Sequence, residues 1–388
     1  MISRPSVVAS ALLLTLSSVP LGAETGVSDD AVLLGMVNVQ TGPASALGKG
    51  MLVGASAVFE DVNARGGVHG RAIELLVGDD GYEPERAIDE TLFMIEDEGV
   101  FSLFGFVGTP TANAVLPIVE ELEVPLVGLF TGAGSLREPV MRQVFNVRSS
   151  YDDEAEAMVA HFLDDGAENV AVFYQNDSFG KAVLSGTEKA LARRDMSVYA
   201  KSTFERNTIA IRGGLAEMLE ADPDAIVMVG TYAPLAELVR QARAAGLDSR
   251  MATVSFVGTK NFVEAVGEAG DGVLITQVMP YPHDDGTAVV EDCRRLIDAH
   301  SGAALDYVNL EGCVTAKVMV EGLERAGPDL TRDALIEALE GIRDHDLGGI
   351  TIDYAEDDHQ GMDRIFVSEV REGDVVELSE AMQVSESD

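Results

Sequence analysis

Positive charge is scarce in this chain. Against 66 acidic residues stand 27 lysines and arginines, a formal net charge of −39 over 388 residues. Nucleic acid and anionic membrane surfaces are excluded as partners, because both recruit cationic patches. The acidic residues are spread along the chain, not gathered in a tail, so they read as a solvated acidic surface. A salty growth medium is the matching expectation, since ions screen the mutual repulsion of surface carboxylates. Purified protein dialysed into low salt is therefore expected to show a markedly lower melting temperature, and an unchanged value removes this reading. Long apolar runs are also missing. Val7–Val19 is too short to span a membrane. With 46% hydrophobic residues and no long low-complexity tract, the chain is globular and long enough for two domains.

Cysteine occurs twice, at Cys293 and Cys313. Both fall in helical patterns, and an oxidising compartment allows a disulfide between them, but the spacing neither demands nor forbids one. Without a nearby histidine they do not make a zinc site. Catalytic signatures are missing as well. No G-x-S-x-G, P-loop or H-E-x-x-H occurs, and no complete G-x-G-x-x-G supports a dinucleotide cofactor. Ser178-Phe179-Gly180-Lys181 matches S-x-x-K, but its companions S-D-N and K-T-G are absent, and Ser178 reads as a helix N-cap. His359 beside Asp357 and Asp358 reads as a turn before a strand rather than a metal site. Asp79-Asp80 and Asp152-Asp153 read as turn and cap chemistry. No enzyme, metal or cofactor is expected.

What the chain does carry is organised around Phe101–Leu136. The buried run Phe101–Phe104 breaks into Gly105-Phe106-Val107-Gly108-Thr109-Pro110. An apolar helical pattern follows, then a second buried run, Pro125–Leu129, and a second small-residue loop, Phe130-Thr131-Gly132-Ala133-Gly134. This strand–loop–helix–strand–loop order is the unit of a parallel α/β sheet, and both loops lie where such sheets bind ligands, beyond the carboxyl ends of strands. Thr109 and Thr131 supply hydroxyls. The glycines let backbone N–H groups approach a small polar group.

Met1–Ala23 reads as an export signal, with Arg4 as its positive start and Leu21-Gly22-Ala23 as a small-residue end. Ala31–Val39 suits a central parallel strand. A helix follows from about Leu47 to Asn63, stopped by Gly66-Gly67. Ile73–Val77 reads as a strand, and a helix starts at Pro84 and runs to about Glu98. Val144–Arg148 is a further strand. From Tyr151 the pattern begins again, with strands expected at Asn169–Tyr174, Ser197–Phe204, Ala225–Val229, Met251–Val254 and Gly272–Gln277 between helices. Three helices, at about 286–300, 307–326 and 331–341, precede strand-like runs at Gly349–Tyr354, Arg364–Val370 and Val375–Leu378. Val384–Asp388 reads as a frayed tail. Two βα repeats, each with apolar runs enough for a six-stranded sheet, predict two similar lobes.

Thr41-Gly42-Pro43, Gly48, Asn63-Ala64-Arg65-Gly66-Gly67-Val68-His69-Gly70 and Asp79-Asp80 stand in an order that resembles the opening of the leucine/isoleucine/valine-binding proteins. These are type I periplasmic binding proteins of ABC importers. Arg240-Gln241-Ala242-Arg243-Ala244-Ala245-Gly246-Leu247, Asn309-Leu310-Glu311-Gly312, Leu347-Gly348-Gly349 and His359-Gln360-Gly361 extend the similarity over nearly the whole chain beyond the signal.

The resemblance implies two Rossmann-like lobes with parallel sheets flanked by helices, joined by a three-crossing hinge near Ser149, Val278 and Val367. The lobes would comprise 24–148 plus 279–366 and 149–278 plus 367–388. It implies a monomeric, periplasmic protein that closes on a small organic ligand and presents it to an ABC permease. A ligand-sensing receptor of the same fold is the alternative. The ligand carboxylate would be held by Val107, Gly108 and Thr109 and by Phe130, Thr131 and Gly132. Ala44 and Leu47 would touch the ligand's side chain, and Phe179, Tyr232 and Phe256 would come from the far lobe.

The departures from the resemblance bear on the ligand. Gly132 stands where amino-acid binders carry threonine, so a hydroxyl is lost. Phe256 replaces the acid that pairs with the ligand's ammonium group, unless the alignment slips and Glu264 fills that role. Phe179 replaces a common tyrosine, and Tyr232 keeps the familiar polar handle. These changes predict a ligand with a carboxylate or other small polar head and an apolar or aromatic body, lacking a free α-amine.

Overall fold

The computed structural model describes residues 24–383. The export signal expected at Met1–Ala23 and the tail expected at Val384–Asp388 lie outside the described residues.

The first repeat runs β1 (Ala31–Asn38), α1 (Ser45–Ala64), β2 (Ala72–Asp79), α2 (Pro84–Leu92), β3 (Ser102–Phe104), α3 (Thr109–Glu121), β4 (Leu126–Val127) and β5 (Val144–Phe145). Its strands form one five-stranded parallel sheet in the order β2-β1-β3-β4-β5. β3 and β4 are buried at every residue, which is why they read as unbroken apolar runs. The helix expected to reach Glu98 is α-helical only through Leu92 and continues as a π-helical turn over Phe93–Asp97.

The second repeat runs α4 (Tyr151–Asp164), β6 (Val170–Gln175), α5 (Ser178–Ala192), β7 (Lys201–Phe204), α6 (Arg212–Ala221), β8 (Ala225–Val229), α7 (Tyr232–Ala244), β9 (Arg250–Thr253), α8 (Thr259–Val266) and β10 (Leu274–Gln277). Helices α9 (Ala288–Ser301), α10 (Tyr307–Ala326) and α11 (Arg332–Glu340) follow, then the short pair β11 (His345–Asp346) and β12 (Thr351–Ile352), and finally β13 (Arg364–Arg371) and β14 (Asp374–Gln383).

The two sheets are unequal, at five and seven strands, where the apolar runs suggested six and six. The reason is the chain's last return. β13 pairs antiparallel with β10, and β14 with β13, extending the second sheet in the order β14-β13-β10-β9-β8-β6-β7. The chain therefore passes between the sheets after β5, after β10 and before β13.

Helices α9 and α10 return to the first sheet and pack on α1. Close approach there depends on glycine. A Cβ at Gly54 would lie 2.0 Å from the Asn309 carbonyl, and one at Gly312 would lie 2.4 Å from the Met51 carbonyl. Cys293 on α9 and Cys313 on α10 are joined by a disulfide, with 20 residues of sequence separation. Closing a loop of that length removes unfolded-state freedom worth about 3 kcal/mol. Among the described residues, no helix is long and apolar enough to cross a membrane.

Candidate functional site

The loops beyond β1, β3 and β4 of the first sheet face the loops beyond β6, β8 and β9 of the second. On the first side, the β3 and β4 loops are zipped together. Val107 and Phe130 form a parallel bridge, Phe130 N–H donates to the Phe106 carbonyl at 2.7 Å, and Gly108 N–H donates to the Phe130 carbonyl at 3.2 Å. This places the Thr109 and Thr131 hydroxyls 2.6 Å apart, both buried. Gly108 has φ of 103°, and a Cβ there would lie 2.3 Å from the Tyr82 ring. Gly132 is needed for a different reason. A Cβ at that position would lie 2.7 Å from both the ring and the backbone nitrogen of Tyr151, whose N–H donates to the Gly132 carbonyl at 2.6 Å. The Tyr151 ring thus fills the space a larger residue at 132 would take.

On the second side, Phe179 lies in the first turn of α5 and Phe256 in a 3-10 turn over Ser255–Val257. The N-cap of α5 is Asp177, not Ser178 as the sequence suggested. The Asp177 carboxylate accepts from the Phe179 and Gly180 N–H groups, which Ser178, one residue further in, does not do.

The two sides meet in an aromatic cluster. Phe256 is fully buried, with its ring centroid 4.6 Å from Phe179, 5.4 Å from Phe130 and 6.1 Å from Tyr82. Tyr151 adds a ring 5.4 Å from Phe179. Ala44 and Leu47 are buried at the start of α1, and the neighbouring Ala46 N–H reaches the Tyr232 hydroxyl at 3.5 Å. The residues singled out in the sequence therefore converge from both sheets. Glu264 does not join them. It sits on α8 with its side chain exposed. Among the described residues, no group of three or more His, Cys, Asp or Glu side chains gathers at His359 or elsewhere to hold a metal ion. The His359 ring stacks on Phe145 at 4.0 Å and its Nδ1 meets the Val144 carbonyl at 2.9 Å.

Several residues of this region were not anticipated. Tyr82, in the loop after β2, is buried with φ of 63°, and its hydroxyl accepts from Gln175 Nε2 at 3.2 Å. Beside it, Glu83 is bonded by Arg206 Nη2 and Asn207 Nδ2, each at 2.7 Å, so the loops of the two sheets are tied directly.

Deeper in lies a buried charge cluster. Arg148, with no exposed surface, stacks its guanidinium 4.6 Å over Phe130, donates to the Ser255 hydroxyl, and faces Glu311 at 3.4 Å and Glu154 at 4.0 Å. Glu154 accepts from Ser255 N–H at 2.7 Å, Ser255 Oγ at 2.9 Å and Thr276 Oγ1 at 2.6 Å. Burial raises the pKa of Glu154 despite Arg148 and these donors. It pushes Glu311 up to about 7, opposed by Arg148 and reinforced by Glu154. Desolvation works against the Arg148 charge, but the two carboxylates more than offset it.

Two α/β sheets whose strand-end loops enclose a buried aromatic and polar cleft define a two-lobed ligand-binding architecture. A family profile described as "Periplasmic binding protein" matches residues 31–374, and the chain belongs to that family. Its members bind ligands and do not turn them over, so the chain is a solute-binding protein and not an enzyme. The structure of a possible leucine/isoleucine/valine-binding protein from Rhodopirellula baltica SH 1 is similar, with a TM-score of 0.86 and 30% identity, over 90% of this chain and 96% of that one. The leucine-, isoleucine-, valine-, threonine- and alanine-binding protein of Pseudomonas aeruginosa is 22% identical over 81% of this chain and 84% of its own length. A fatty acid ABC transporter substrate-binding protein from Thermomonospora curvata shares the fold at a TM-score of 0.85, with 22% identity over 94% of this chain and 95% of that one.

Proposed function

We propose that this protein is the periplasmic solute-binding component of an ABC importer. Its lobes, 24–148 plus 279–366 and 149–278 plus 367–388, close on a small organic acid with an apolar or aromatic body and no α-amine. The Thr109 and Thr131–Gly132 loops hold the polar head, Ala44 and Leu47 flank the body, and Phe179, Tyr232 and Phe256 cover it. Binding and hinge closure present the ligand to a permease.

One observation carries the ligand class. Phe256 is fully buried against Phe130 and Phe179, while Glu264, the acid that could have replaced it, is exposed on α8. Burying an ammonium ion against the Phe256 ring, in place of the acid expected at that position, costs several kcal/mol. A cation–π contact returns about 1–2 kcal/mol of that.

A thermal-shift panel on protein freed of carried-over ligand tests this. Amine-free acids, aromatic ones included, are expected to stabilise the protein, by about 2.7 kcal/mol at a hundredfold excess over Kd. Matched α-amino acids are expected to leave the melting temperature unmoved. Stabilisation by leucine or valine identifies an ordinary amino-acid binder and overturns the ligand class.

A further inference from the structure

The two lobes also touch at the free edges of their sheets. In the first sheet, β2 is the edge strand farthest from β5, after which the chain crosses over. In the second, β7 is the edge strand away from β10 and β13, where the other two crossings lie. The loops after β2 and β7 therefore lie opposite the hinge, where opening parts the lobes most.

Three side chains of the second lobe reach across at this edge. Arg206 and Asn207, just after β7, donate to the two carboxylate oxygens of Glu83, each at 2.7 Å. Gln175, the last residue of β6, donates to the Tyr82 hydroxyl at 3.2 Å. Asn207 also reaches the Gly81 carbonyl at 3.3 Å, and the Arg206 guanidinium lies 5.9 Å from the centre of the Tyr82 ring. Tyr82 in turn packs against Gly108, in the loop assigned to the ligand's polar head. Each of these bonds joins residues of opposite lobes, so hinge opening breaks them.

Asp177 arranges the set from within the second lobe. Its Oδ1 accepts from the Phe179 and Gly180 N–H groups and caps α5. Its Oδ2 accepts from Gln175 Nε2 at 2.6 Å and from Arg206 Nη1 at 3.4 Å. One carboxylate thus fixes the helix that carries Phe179 and two of the side chains that span the mouth of the cleft. Gln175 and Arg206 are long and lose rotamer freedom when they bond. Asp177 restricts both before the lobes meet, which lowers the entropic cost of closing.

We infer that Glu83, Arg206 and Asn207 form a clasp at the mouth of the cleft and that Asp177 is its positioning residue. The clasp holds part of the population closed before ligand arrives, with Tyr82 seated against the Gly108 loop. Its bonds must break before the lobes part, so it also slows release of whatever the cleft holds. This rests on the reading of two closing lobes and is independent of the ligand's chemical class.

The test is pulsed electron–electron double resonance on protein freed of carried-over ligand, with nitroxide labels on Asp89→Cys of α2 and Glu217→Cys of α6. Both positions are exposed, and the disulfide occupies both native cysteines, so the labels go only where they are placed. The parent pair is expected to show a short distance for closed lobes beside a longer one. Asp177→Asn keeps a side-chain oxygen to cap α5 but loses the second acceptor that holds Gln175 and Arg206. That variant, Glu83→Ala and Arg206→Ala are each expected to lower the closed-to-open ratio at least about threefold. Lys189→Ala removes an ion pair inside the second lobe and is expected to leave the ratio unchanged. An equal shift in Lys189→Ala overturns the clasp, as does a parent pair found wholly at the longer distance. Leu47→Trp overfills the contact between Leu47 and Gly258 across the lobes and is expected to lengthen the distance whatever the clasp does. If Leu47→Trp opens the lobes and the clasp variants do not, the clasp is overturned and closure stands. If Leu47→Trp moves nothing either, closure and clasp fall together.

Discussion

Glu154→Ala is expected to lower the unfolding free energy by about 3–5 kcal/mol, measured by urea denaturation at neutral pH. Glu154 is fully buried, and its carboxylate ties α4 to the turn after β9 and to β10 through Ser255 and Thr276. It is also one of two negative charges beside Arg148, at 4.0 Å. Removing it leaves the Ser255 N–H and two hydroxyls without this acceptor, and a fully buried guanidinium with one counter-charge fewer. Glu311 remains as the second counter-charge, which keeps the loss toward the lower end of the range. Glu154→Gln separates the two contributions. Its amide oxygen still accepts hydrogen bonds, so its loss is expected to be smaller than that of alanine. A loss below about 1 kcal/mol for alanine would mean that the cluster does not hold the second lobe's sheet to α4 as the geometry implies.

The same cluster shows what the sequence could not reveal. The Phe101–Leu136 stretch was legible because a fully buried parallel strand writes itself as an apolar run, and the loop after it as glycine and threonine. Phe130, Thr131, Phe179 and Phe256 could be located by resemblance because each sits at the end of such a run or in the first turn of a helix. Arg148 and Glu311 left no such mark. One follows the short strand β5 and the other lies in the first turns of α10, and each is buried because of a partner far away in the chain. Glu311 was visible only as part of Asn309-Leu310-Glu311-Gly312, read as a helix opening. Tyr82 was hidden in a turn marked by Asp79-Asp80-Gly81. Its burial depends on Gly108 leaving room for the ring, a relation between two loops that no local pattern carries. The strand count failed for a related reason. Apolar periodicity identifies strands but does not say which sheet a returning strand will join.

That turn also supplies the largest expected pH effect. Asp79 and Asp80 are adjacent carboxyls with opposite fates. Burial works to raise Asp79, but hydrogen bonds from Thr41, Gln40 and Gly81 outweigh it and hold the carboxyl well below the usual range. Asp80 accepts only from Tyr82 N–H, at 2.7 Å, and its other oxygen is buried without a partner. Burial, with the charge of Asp79 beside it, pushes Asp80 up to about 7. A carboxyl raised in the folded state binds its proton more tightly there than in the unfolded chain, where it titrates near 3.9. Its contribution to stability is therefore fully present below about 4 and is lost as pH rises to about 7. Asp80→Asn cannot ionise and keeps an oxygen for the Tyr82 N–H. Relative to wild type, the variant is expected to gain about 2–4 kcal/mol between pH 4 and pH 8 in urea unfolding. The gain should be absent in Asp79→Asn, whose carboxyl stabilises the fold as an anion, and that variant should instead be destabilised at both pH values. A difference between Asp80→Asn and wild type that does not change with pH would show that Asp80 is ionised throughout. The Tyr82 loop would then be held by a buried charge, not by a carboxyl whose proton is lost near neutrality.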